Sequence, residues 1–140
     1  MPQLYRLTTR SLAAVALSLT LLLGACGGSG DSSTTTTSGG VPLDLVVLSL
    51  PIMVDHGERA DGAAQQGDFE TAIAEYAITN DTWRVLRSSV RKADADAYAA
   101  IQAAQALILD AARAQDADRV AKGVADQAAV IDAFIKENGK

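Results

Sequence analysis

The chain has 140 residues, 49% of them hydrophobic but only 4% aromatic, a formal net charge of −5, one cysteine and one histidine. That acidity argues against nucleic acid as a partner and against direct adhesion to anionic lipid headgroups. A lone cysteine leaves no disulfide to form within the chain.

The first 25 residues have the three-part layout of an export signal. Arg6 and Arg10 make a positive leading region, and residues 11–23 are an uncharged apolar run of about 13 residues. A run of that length suits a signal core and falls short of the roughly 20 apolar residues that a membrane-crossing helix needs. It ends in Leu21-Leu22-Leu23-Gly24-Ala25-Cys26-Gly27.

Leu23, Gly24, Ala25 and Cys26 resemble the lipobox of bacterial lipoproteins, an aliphatic residue and two small ones before the cysteine that becomes the new N-terminus. The resemblance implies cleavage after Ala25, diacylglycerol joined to Cys26 as a thioether, and an acyl chain such as palmitate on the freed amine. No cofactor is implied beyond this covalent lipid. One chain holds a protein only marginally, at ~0.8 kcal/mol per buried methylene, whereas two or more hold it stably. Gly27 is not the aspartate that favours inner-membrane retention in Gram-negative lipoproteins. The resemblance therefore places the protein outside the cytoplasm, on the periplasm-facing side of the outer membrane in a two-membrane envelope and on the outer face of the cell membrane otherwise.

Residues 26–40 comprise that cysteine and a run of Gly, Ser, Thr and one Asp with nothing apolar to bury, a composition expected of a flexible linker. Its 14 residues after Cys26 have a mean reach of roughly 20 Å and a stretched limit of ~48 Å. With Arg6 and Arg10 set aside, ten basic residues stand against 17 acidic ones, a formal charge of about −7.

Residues 41–140 form one domain of ordinary size. They are rich in alanine, carry no proline after Pro51 and no glycine between Asp68 and Lys122, and place apolar residues at steps of three and four. This pattern predicts helices. The first spans 42–65 with a seam of Leu43, Val46, Leu50, Met53, Gly57, Ala60 and Ala64. Pro51 either kinks it or starts the helix proper, because its ring clashes with the carbonyl of Val47 and it has no amide hydrogen. Leu45, Leu48 and Ile52 make the far side apolar too, from deep burial or as a partner surface.

Asp68 predicts the cap of a second helix with a seam of Phe69, Ile73, Tyr76, Asn80, Trp83, Arg87 and Val90, and with Ala72, Thr79 and Leu86 beside it. The seam is imperfect at Asn80 and Arg87, which leaves a break near 79–81 as the alternative. Residues 67–76 look like the opening of a tetratricopeptide repeat, but no second copy follows at about 34 residues. The third helix starts near Asp94 and carries Tyr98, Ile101, Ala104, Gln105, Ile108, Ala111 and Ala112. Asp116 or Asp118 caps a fourth with Val120, Val124, Gln127, Ala128, Ile131, Phe134 and Ile135. Four rods of similar length joined by short turns predict an all-α, up-down-up-down antiparallel four-helix bundle whose small core side chains make stability modest.

Chemistry-bearing motifs are absent from the sequence: no phosphate loop, nucleophile elbow, haem attachment motif or paired histidines. His56 with Asp55 and Glu58 is the one candidate metal set, although residues one and two apart diverge around a helix. Arg84, Arg87, Arg91 and Lys92 form one basic cluster, expected to pair with acids on adjacent helices or to receive an acidic partner or a phosphate. The expectation is a non-catalytic, lipid-anchored envelope module that binds a protein or envelope component. The alternative is a periplasmic bundle that binds a metal or a small ligand for uptake.

Overall fold

The computed structural model describes residues 40–140, so the lipobox and most of the linker lie outside the described residues. Four helices and no strand make up these residues: α1 (Leu43–Gln65), α2 (Phe69–Ala93), α3 (Ala95–Arg113) and α4 (Ala117–Asn138).

Aspartates start three of them. Asp68 accepts from the Thr71 amide, Asp94 from the amides of Asp96 and Ala97, and Asp116 from that of Arg119, each occupying amides that a first helical turn leaves without partners. Of the two candidates for the α4 cap, Asp116 takes the position. α1 ends in a left-handed turn at Gly67 (φ 78°), where the Asp68 amide reaches back to the Ala63 carbonyl at 2.9 Å. The α3–α4 turn has the same form, with Asp116 N–H to Ala111 O at 3.0 Å and Gln115 at φ 57° in the glycine position.

α1 runs unbroken through Pro51, which is exposed and neither starts the helix nor divides it. α2 is likewise continuous across 79–81. Its core face keeps Trp83 and Val90 of the expected seam but is centred on the residues expected beside it: Ala72, Thr79 and Leu86 are buried, Phe69, Ile73, Tyr76 and Asn80 only partly so, and Arg87 is exposed. Small Ala72 and Thr79 let the neighbouring helices approach, and the Thr79 hydroxyl satisfies itself on the Glu75 carbonyl at 3.4 Å.

Each helix packs on its chain neighbours, and α1 also packs on α4. The core has two clusters. The first joins Val46, Leu50 and Met53 of α1, Trp83, Leu86 and Val90 of α2, Ala97 and Ile101 of α3, and Ile131 and Phe134 of α4. The second joins Ala60, Ala63, Ala64, Ala72, Ile108, Ala111, Ala112, Val120 and Val124. Fully burying a side chain such as Leu50 or Phe134 contributes about 1.5–3 kcal/mol each, so the first cluster supplies most of the apolar gain. Gly57, Thr79, Gln105 and Gln127 occupy the positions between the clusters, one on each helix.

Candidate interaction face

The expected α1 seam is buried from Val46 through Ala64, while Leu43 at its start is 37% exposed. Leu45, Leu48 and Ile52 are 48%, 73% and 47% exposed, which overturns deep burial of α1's far side. They stand at spacings of three and four in the helical row that continues to His56. On α2, Ile78 and Val85 are 44% and 62% exposed, seven residues apart in the row that runs from Glu75 to Ser89.

Two side-chain bonds show that these rows meet. His56 Nδ1 and Glu75 Oε2 lie 2.6 Å apart, both side chains largely covered, and Ser89 Oγ donates to the Val41 carbonyl at 2.7 Å. The five exposed apolar side chains therefore flank one seam and face outward on one side of the α1–α2 pair. Where the chain enters α1, a cleft of about 500 Å³ is lined by Val41, Pro42, Leu43, Ser88, Ser89 and Lys92.

The candidate metal residues do not meet. His56 turns to Glu75, Asp55 pairs with Arg59 at 2.7 Å on α1's exposed surface, and exposed Glu58 joins neither. Among the described residues no three His, Cys, Asp or Glu side chains are grouped to hold an ion. Cys26, with Leu23, Gly24 and Ala25, lies outside the described residues.

The basic cluster does not pair with acids on adjacent helices as expected. Arg84 reaches Asp81 one turn back at 3.5 Å, and Arg91 lies over the Tyr98 ring, 5.6 Å from its centroid. Of the two acids at this end of α3, Asp94 and Asp96, Asp94 already serves as the cap. Tyr98 in turn stacks on Trp83 at 5.6 Å and 27°, which fixes the tryptophan as a core residue.

Asn80 and Arg87, the two irregularities of the α2 seam, line a second cleft of about 280 Å³ between α2 and α3, with Tyr76, Trp83, Gln105 and Asp110. Gln105 is 3% exposed and its Nε2 has no hydrogen-bond partner among the described residues. Burial raises the Tyr76 phenol above its ordinary value; Arg113 opposes the shift and Asp110 adds to it.

Charge divides along the bundle in a way that net charge conceals. The segments that build the first cluster, 41–54, 81–104 and 128–140, hold six acidic and six basic residues; 55–80 and 105–127 hold ten and four. The exposed face belongs to the neutral half, apart from Ile78 near the boundary. No protein-family model matches the chain, nor does any curated protein or any solved structure.

Proposed function

We propose that the protein is a bacterial envelope lipoprotein, held outside the cytoplasm by lipid on Cys26, whose helical domain is a non-catalytic interaction module. The lipobox residues Leu23, Gly24, Ala25 and Cys26 support the anchor, and one observation carries the module: five large apolar side chains exposed together on the α1–α2 face. In this reading the helices run up-down-up-down. The first half of α1 shares a core with the second half of α2, the first of α3 and the second of α4, as alternating directions require.

The anchor is tested by feeding labelled palmitate to cells that make the full chain. Label is expected on the wild type and absent from Cys26→Ser, with membrane retention lost in the variant; unlabelled wild type would remove the anchor from the proposal. Crosslinking from Ile78→Cys tests the module, and partners captured equally well by a probe at Asp118→Cys, far from the face, would count against it.

The α2–α3 cleft favours a second reading, capture of a small polar ligand. Arg87, Asn80 and the unpartnered Gln105 amide offer donors beside the Tyr76 and Trp83 rings. Amide shifts confined to 76–87 and 102–110 on titration with a small carboxylate, and lost in Arg87→Ala, would support it; a silent titration would remove it.

A further inference from the structure

The exposed face has an occupant that the chain's own arrangement points to. Leu45, Leu48, Ile52 and Val85, together with Ile78, form its apolar stripe, and Lys92, seven residues beyond Val85, extends the same row. The chain enters α1 at Val41, which packs on the same core cluster as this half. Only 14 residues lie between Cys26 and Val41, so a lipid on Cys26 keeps this half within ~48 Å of the bilayer.

Charge selects the side that turns to the lipid. The far half holds ten acids against four bases and is repelled by anionic headgroups, while the half that holds all of the stripe but Ile78 is neutral and carries exposed Lys92 at the end of the stripe's row. Size argues against a second copy: five side chains are few beside the roughly 20–30 residues per side of a stable protein pair. A surface to which the domain is already tethered needs no such area, because the tether supplies a high local concentration.

We infer that what this interaction face meets is the bilayer that holds the Cys26 lipid, with its leucines, isoleucines and valine at the headgroup boundary and the acidic half turned outward. This rests on the lipid-anchor reading above. An apolar helical face in that position binds weakly by itself and is made persistent by the anchor.

The test uses the full lipidated chain carrying Leu48→Cys, whose thiol is the sole free one when Cys26 is a thioether. It is labelled with an environment-sensitive fluorophore and reconstituted in vesicles of phosphatidylethanolamine and phosphatidylglycerol; a second preparation carries the label at Asp118→Cys. Quenching by lipids spin-labelled near the headgroup is expected to be at least twofold stronger at position 48 than at 118. Equal quenching, or self-quenching at 48 that persists on dilution and marks a second copy, overturns the docking. The mass of the N-terminal peptide is read on the same samples: an acylated Cys26 with equal quenching sinks the docking alone, and an unmodified Cys26 sinks the anchor and the docking together.

Discussion

Two glycines show how much a single hydrogen in place of a methyl decides. Gly62 lies in α1 with nothing within 4 Å of where a Cβ would stand, whereas a Cβ on Gly123 would come 2.7 Å from Ile108 Cγ1, 3.1 Å from the Ile108 nitrogen and 3.3 Å from the Ala104 carbonyl oxygen. Backbone cannot swing aside as a side chain can. Gly62→Ala should raise stability by ~0.5–1 kcal/mol through helix propensity, and Gly123→Ala should lower it by ~1–2 kcal/mol despite the same propensity gain. Urea midpoints of the two variants check this, and equal shifts would mean that α3 and α4 do not approach so closely. Asp68 supplies a pH dependence. Its carboxylate accepts from the Thr71 amide at 3.0 Å and the Thr71 hydroxyl at 2.7 Å, and these bonds, the backbone one foremost, hold its pKa below the ordinary 3.8. The unfolded chain lacks them, so the contribution is complete above the unfolded value and fades as pH falls through the lower folded one. Asp68→Asn keeps a capping oxygen but has no proton to gain, and its urea midpoint should fall less steeply than the wild type's below about pH 5.

At the scale of the helices, α1 tolerates a residue that ought to break it. Pro51 is exposed on α1, so its ring displaces no core side chain, yet position 51 donates no amide to the Val47 carbonyl. Pro51→Ala should raise stability by about 1–3 kcal/mol, measured as a higher urea midpoint with added helical ellipticity; no gain would imply that the proline's restriction of the unfolded chain offsets the missing bond. Sequence alone could not choose between a kink and a helix start there, because the outcome depends on Val46 and Leu50 being drawn into the same core as Met53 beyond the proline. The α1 seam and the aspartate caps were legible, since apolar periodicity and capping chemistry are local. α2 was less so. Phe69, Ile73, Tyr76 and Arg87 suggested a seam one step round from the true one, because Phe69, Ile73 and Tyr76 are large enough to bury part of themselves from the flank while Ala72 and Thr79 take the centre. The exposed face was half legible: Leu45, Leu48 and Ile52 stood out as apolar residues off the seam, but their union with Ile78 and Val85 depends on how α1 and α2 meet.

Across the whole molecule, one set of helices encloses two differently filled halves. Leucine, methionine, tryptophan, phenylalanine and isoleucine fill the half near Val41, and alanines dominate the other, which also carries the excess of acids. Alanine offers far less area to remove from water, and like charges within a Debye length of about 10 Å at 0.1 M salt repel. Between the halves, Gln127 Nε2 donates to the Met53 carbonyl at 3.2 Å, but Gln127 Oε1 and Gln105 Nε2 have no partner among the described residues, so the joint is weaker than either apolar cluster would make it. The two halves should accordingly open separately. Native-state hydrogen exchange is expected to show amides of 60–72 and 108–124 exchanging through a lower-energy opening than those of 83–90 and 128–134, with the gap narrowing as salt screens the acidic half. Uniform protection along all four helices, unchanged by salt, would show that the two clusters melt as one and that the polar layer between them is no seam. A separate opening of the acidic half would leave the first cluster, and with it most of the exposed α1–α2 face, intact.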